Sequence, residues 1–326
     1  MPVLTTRPYR GEVDLTLIVD LLNACEAVDR EDNFYSATDL GLSFAEPDFD
    51  PTQNVRLWED EAGRLIAYAD LWTPPEPLES LDGFLWFRVL PTERWQGIER
   101  DILAWAEARV HQEATVHQLP AKLQLSCRDC QSDCIVFYQQ HGYSYERRFL
   151  TMARSLTESI PEPILPEGFQ IIQTRGVEDA AAWVEMYNQT FIDHWNFHPQ
   201  TVAEHSYWLS TPVYCPELDL IAVAPDGTFA AFCHGHIDAE ENQQKDRREG
   251  WINSLGTRRG FRRMGLARAI LLAGLQRLKA AGMDTAKLGV DTQNPNSAQT
   301  LYESVGFQTR YASLSYSKTI SSQTIS

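Results

Sequence analysis

Leu255-Gly256-Thr257-Arg258-Arg259-Gly260-Phe261-Arg262-Arg263-Met264-Gly265-Leu266-Ala267-Arg268 is the stretch whose reading decides the fold. A strand candidate at 251–257 runs into a glycine-bearing basic loop. The loop runs into a long helical pattern at 266–281 that Gly282 stops. Where a loop opens a helix, the first backbone N–H groups lack partners and the helix dipole adds partial positive charge. The junction therefore suits an anion such as a pyrophosphate. Gly265 and Ala267 lack bulk where a phosphate must approach the backbone. Charge agrees: residues 256–283 contain no Asp or Glu, while Arg258, Arg259, Arg262, Arg263, Arg268, Arg277 and Lys279 supply seven positive charges. The whole chain carries 28 Lys and Arg against 45 Asp and Glu, a net charge of −17, so such an island calls for an anionic ligand.

Two familiar phosphate loops do not fit. Gly260 and Gly265 have the Gly-x-x-x-x-Gly spacing of a P-loop, but Leu266-Ala267 stand where Lys and Ser/Thr would bind phosphate and magnesium. The dinucleotide fingerprint Gly-x-Gly-x-x-Gly is absent, so neither ATP nor NAD is expected.

Outward from the loop, strands and helices alternate. Strand candidates fall at 169–174, 218–224, 228–237 and 286–291, with Pro225-Asp226-Gly227 turning the middle two into a hairpin. Helices are expected at 177–191, 201–209 and 295–305, the last opened by Asn294 as cap and Pro295 as first residue. Residues 240–248 look like a polar loop, and 308–318 alternate like edge strands. The first half repeats this outline. Arg94-Trp95-Gln96-Gly97 matches Arg262-Arg263-Met264-Gly265 at an offset of 168, and Phe137-Tyr138 through Gly142-Tyr143 matches Leu301-Tyr302 through Gly306-Phe307 at 164. Two matches in one order argue for duplication. Residues 157–168 hold three prolines and no periodicity, so they are expected to link a domain at 1–156 to one at 169–326. The expected fold class is α/β, each domain a mixed central sheet flanked by helices.

With those residues in hand, the second half resembles the GNAT superfamily of acetyl-coenzyme A-dependent N-acetyltransferases. Their loop reads Arg/Gln-x-x-Gly-x-Gly/Ala, which Arg262-Arg263-Met264-Gly265-Leu266-Ala267 satisfies at every fixed position. The second landmark is Asn294-Pro295-Asn296-Ser297-Ala298 followed by Leu301-Tyr302-Glu303-Ser304-Val305-Gly306-Phe307. The tandem layout, with Phe191-Ile192-Asp193-His194-Trp195, resembles the mycothiol synthase group of that superfamily. The resemblance implies two tandem GNAT-like domains, direct attack of an amine on an acetyl thioester, and acetyl-coenzyme A as co-substrate. By the same resemblance, backbone N–H groups of residues 263–268, including Met264, Leu266 and Arg268, hold the pyrophosphate. Leu255, Gly256 and Thr257 meet the pantetheine arm, Asn294 and Ser297 touch the cofactor, and Tyr302 protonates the departing thiolate.

The amine must also lose a proton. Glu249 precedes the strand in phase with Trp251 and Asn253 and is a candidate catalytic base; Asp238, His234, His236, His194 and His198 are its rivals, and the sequence does not choose among them. In the first half, Glu99 stands where the family has Gly or Ala, and residues 84–113 hold four basic against five acidic residues. That half is expected to be a scaffold with weak or no cofactor binding. Cys127, Cys130 and Cys134 offer only three ligands of a possible zinc site, so no metal is expected. Hydrophobic residues at 43% and charged ones at 22% exclude disorder, coiled coil and collagen for the chain as a whole. No stretch is long and apolar enough to span a membrane, and a net charge of −17 disfavours nucleic acid. The expectation is a cytoplasmic monomer, an intrachain pseudo-dimer, acting on a small-molecule amine; a non-catalytic acyl-coenzyme A sensor is the alternative.

Overall fold

The computed structural model describes residues 4–321. The first half of the chain runs β1 (Thr5–Pro8), α1 (Glu12–Asp29), α2 (Ala37–Phe44), α3 (Pro51–Asn54), β2 (Val55–Glu59), β3 (Leu65–Trp72), β4 (Leu81–Val89), α4 (Ile98–His117), β5 (Ala121–Arg128), α5 (Ser132–Gln140) and β6 (Ser144–Ser155). The second runs β7 (Gln170–Gln173), α6 (Ala180–Phe191), α7 (Val202–Leu209), β8 (Asp219–Val223), β9 (Phe229–His236), α8 (Ala239–Gln244), β10 (Glu249–Thr257), α9 (Leu266–Ala280), β11 (Thr285–Asp291), α10 (Ala298–Ser304) and β12 (Gln308–Ile320). The polar stretch after β9 thus holds a short helix, capped by the Asp238 carboxylate on the Glu241 N–H at 2.7 Å.

Compactness divides the chain into two units, the first taking in the described residues of Met1–Cys127, Gln131–Glu146 and Ser315–Ser326, the second Arg128–Cys130 and Arg147–Leu314. In the first unit the strand order is β1-β2-β3-β4-β5, and in the second β6-β11-β10-β9-β8-β7. Both orders hold one parallel pair, β4 with β5 and β10 with β11, each joined by a long helix. The duplicated motifs therefore sit on duplicated elements. Strand β6 belongs to the first half by sequence, yet seven of its residues pair antiparallel with β11, from Ser155 opposite Thr285 to Phe149 opposite Asp291.

Helix α9 shows why the loop ends where it does. Leu266, Ile270, Leu271, Leu275 and Leu278 recur at helical spacing and are buried in one cluster with Cys233 of β9 and Ile252 of β10. Burying each such side chain is worth about 1.5–3 kcal/mol, which fixes the helix and hence its N-terminus against the sheet. Among the described residues no helix is long and apolar enough to cross a membrane. The six cysteines are free thiols.

Candidate active site

Strands β10 and β11 pair in register only from Glu249 opposite Thr285 to Ile252 opposite Leu288. Each continues beyond that point, β10 to Thr257 and β11 to Asp291, held by its other neighbour, β9 or β6. A register shift between Ile252 and Ser254 marks the parting. The end of β10 thus faces β11 with ladder groups left over, and the Thr257 hydroxyl is buried without a hydrogen-bond partner.

The basic loop then enters α9 through two left-handed residues, Arg263 at φ +64° and Gly265 at φ +87°. Only glycine adopts the second conformation without strain. No side chain caps the helix, and its first bond runs from the Ala269 N–H to the Gly265 carbonyl at 3.1 Å. The N–H groups of Leu266, Ala267 and Arg268 are left open, an anion cradle at the positive end of a four-turn helix.

The arginines divide into two kinds. Arg258 is paired with Glu185, and Arg259 and Arg262 with Asp193, all reaching the loop from α6 and the turn after it. The island is uninterrupted in sequence, but space supplies the acids that the sequence lacks. Arg262 also donates to the carbonyls of Thr190 at 2.9 Å and Thr257 at 3.3 Å, so it straps the strand end to α6. Arg263 is exposed and makes no ion pair among the described residues, while Arg268 is exposed and bonds the Ser304 hydroxyl at 2.8 Å.

The second landmark folds differently from expectation. Asn294 does not cap a helix at Pro295: its carboxamide oxygen accepts the Asn296 N–H at 2.8 Å in a local turn, and α10 begins only after left-handed Ser297. Its amide nitrogen lies 3.5 Å from His194 Nε2. Tyr302, on α10, is buried, and burial pushes its hydroxyl pKa well above the ordinary phenol value. Its hydroxyl bonds no protein atom among the described residues.

These parts meet in one cavity of about 410 Å³. Leu255, Gly256, Thr257, Arg262, Arg263, Gly265, Leu266, Ala267, Arg268, Asn294, Ser297 and Tyr302 line it, as do Thr190, Phe191 and His194. Met264 does not; it is 45% exposed on the loop's outer side. Thr190 carries no signal beyond helix periodicity, and it reaches the wall because α6 ends against Gly256. A β-carbon on Gly256 would lie 2.3 Å from Thr190 Cγ2, so this glycine is required by helix packing.

Glu249 is not brought to the cavity. It opens β10, eight residues from Thr257 and so about 25 Å away along the strand. Its Oε2 contacts Lys287 and lies 3.6 Å from Arg247. The expected phase does hold: Gly250 and Ile252 are buried, and Glu249, Trp251 and Asn253 occupy the more open face. Of the rivals, His234 lies under the Trp208 ring at 4.2 Å, and burial pushes its pKa down to about 3, a poor proton acceptor. Asp238 is committed to capping α8.

The first unit repeats the cradle and fills it. Trp95 at φ +63° and Gly97 at φ +108° lead into α4 as Arg263 and Gly265 lead into α9. Arg94 bonds the Val89 carbonyl at 3.0 Å and the Asp29 carboxylate at 2.6 and 2.7 Å, the same strap as Arg262. Here, however, Glu99 is 2% exposed and accepts the Trp95 N–H at 2.9 Å. Its own carboxylate takes the place of an external anion, and the remaining cavity is about 60 Å³. Tyr138, the counterpart of Tyr302, gives its hydroxyl to the Ser126 carbonyl at 3.3 Å. Among the described residues no group of three or more His, Cys, Asp or Glu is placed to hold a metal.

Residues 180–307 match the acetyltransferase (GNAT) family. A mycothiol acetyltransferase from Streptomyces bingchenggensis is 26% identical over 309 residues, which cover 94% of each chain. A solved GCN5-related N-acetyltransferase from Sphaerobacter thermophilus is 26% identical with a TM-score of 0.74, covering 97% of this chain and 96% of that one. A tandem GNAT protein from the clavulanic acid biosynthesis pathway shares the fold at 12% identity and a TM-score of 0.73, covering 98% and 99%.

Proposed function

We propose that this chain, whose residues 180–307 match the acetyltransferase (GNAT) family, is an acyltransferase that moves an acetyl group from acetyl-coenzyme A to the primary amine of a small molecule. The observation that carries this reading is the cavity in which the open helix N-terminus, the parted strands and Tyr302 converge. Its features fit acetyl-coenzyme A: an uncapped cradle for a pyrophosphate, an unpartnered Thr257 hydroxyl, and leftover ladder groups along the end of β10 for an amide-bearing arm. The name borne by the Streptomyces bingchenggensis relative supports a small-molecule acceptor.

When bound, acetyl-coenzyme A supplies the thioester whose carbonyl carbon an amine attacks. The N–H groups of Leu266, Ala267 and Arg268, with the exposed Arg263 guanidinium, hold its pyrophosphate. Ser254–Thr257 backbone orients the arm, and a backbone N–H there polarises the carbonyl. Tyr302 Oη carries the proton that the departing sulfur takes up; burial keeps it protonated well beyond neutral pH. For the amine's proton we propose Glu249, acting through bound water along the open face of β10 that it shares with Trp251 and Asn253. His194 is the second reading, favoured by its place in the cavity wall.

Kinetics and calorimetry test these roles together. Tyr302→Phe is expected to lower kcat about a hundredfold with acetyl-coenzyme A affinity unchanged. Glu249→Gln is expected to lower kcat by a similar factor, and His194→Asn by less than about threefold. The reverse order of the last two would move the base to His194. Full activity of Tyr302→Phe would remove the proton role of Tyr302, and acetyl-coenzyme A binding without turnover on any amine would leave a sensor.

A further inference from the structure

The first unit has a further cavity, of about 420 Å³, whose lining shares no residue with that of its filled anion cradle. It lies between α1, α2 and the exposed ends of β3 and β4, and its walls are aromatic: Tyr35, Phe49, Tyr68, Trp72 and Trp86 all line it. Tyr35 and Tyr68 each approach the Trp86 ring with centroids 5.8 Å apart. Tyr35, Phe49, Trp72 and Trp86 remain partly exposed. One carboxylate stands among these rings. Asp70 accepts the Tyr68 hydroxyl at 2.8 Å through Oδ2 and makes no ion pair among the described residues. Asp39 and Glu46 add acidic groups to the wall, and no Lys or Arg lines it.

We propose that this cavity is a binding site for an organic cation, an alkylammonium group seated against Trp86, Tyr35 and Trp72 beside Asp70, with the remaining volume taken by the rest of the molecule. The negative faces of aromatic rings attract a cation that is poorly hydrated, and a carboxylate at their centre neutralises it. The protein already places one cation on this cluster: the Arg88 guanidinium lies 4.7 Å from the Trp86 ring centroid, bonded to Glu31 at 2.9 Å. Arg88 lines the other cavity of the unit and leaves Asp70 without an ion pair. Burial accordingly pushes the Asp70 carboxyl up to about 7, against the lowering effects of the Tyr68 hydroxyl and the Arg88 charge, as befits a carboxylate short of a counter-ion. A volume of this size takes a molecule larger than a simple quaternary amine. The proposal concerns the first unit alone and does not depend on catalysis in the second.

Choline and its uncharged isostere 3,3-dimethylbutan-1-ol separate charge from shape. Calorimetric titration of the full chain is expected to show one choline site, with the isostere at least about tenfold weaker. Asp70→Asn, which keeps the shape of the side chain, and Trp86→Leu are each expected to weaken choline by about tenfold or more, with circular dichroism unchanged. Equal binding of the two probes to the wild-type chain would make the cavity a plain apolar pocket and overturn the proposal. So would an absence of choline binding in the millimolar range, or choline binding that survives Asp70→Asn and Trp86→Leu undiminished.

Discussion

Arg262 and Arg94 stand at equivalent places and do the same work, which the sequence pattern assigns to cofactor contact in the case of Arg262. Each bonds the carbonyl five residues upstream, at the end of a strand, and a carboxylate just after or at the end of the first long helix of its half. Arg262→Gln is therefore expected to destabilise the protein by about 1–3 kcal/mol and to weaken acetyl-coenzyme A as a consequence, since hydrogen bonds to charged groups are worth that much. Arg263→Gln, at an exposed residue without an ion pair among the described residues, is expected to weaken acetyl-coenzyme A in a salt-dependent manner and leave the melting temperature unchanged. Thermal unfolding and calorimetry of the two variants check this; a stable Arg262→Gln with impaired binding would make Arg262 a phosphate ligand instead. The residue types of the site were legible, because Gly265 and the uncapped helix start follow from local chemistry. The partners of the arginines were not, because Glu185 and Asp193 come from about seventy residues upstream.

At the scale of elements, strand, loop and helix fall where hydrophobic period and glycine punctuation put them. The period predicts 266–281 as helical, and α9 ends one residue short of that. The landmark at Asn294 misleads, because Asn before Pro serves a turn as well as a helix start; its own side chain closes the turn and delays α10 to Ala298. The packing of α6 on β10 was also hidden. It rests on the absence of a side chain at Gly256, whose added β-carbon would meet Thr190 Cγ2 at 2.3 Å and Phe232 Cε1 at 2.9 Å. Gly256→Ala is expected to cost about 1–3 kcal/mol by overpacking, and Thr190→Ser in the same chain to restore part of it by removing the methyl group. Denaturant unfolding of the single and double variants measures both. Equal loss in the two would place the strain on Phe232 instead.

At the scale of the whole chain, the duplication was legible from two motif offsets, whereas the pairing of β6 with β11 was not. Nothing local to residues 144–155 says that they pair with β11 instead of with the half that encodes them; strand partners are set by burial across long sequence separations. A fragment of residues 157–326 lacks β6, which pairs with β11 over seven residues, and is expected to fail to fold; a fragment beginning at residue 144 retains that strand. Cooperative melting of the shorter fragment with acetyl-coenzyme A bound would contradict this. The duplication also poses the central claim, that one cradle is open and the other is filled by its own Glu99. Ala267 stands in α9 where Glu99 stands in α4, and a carboxylate in a first helical turn is favourable to the fold. The direct measurement is calorimetric titration of acetyl-coenzyme A into the wild-type chain and into Ala267→Glu. The account predicts one site per chain, abolished in the variant with its melting temperature held or raised. Two sites in the wild type, or undiminished binding to Ala267→Glu, would contradict it.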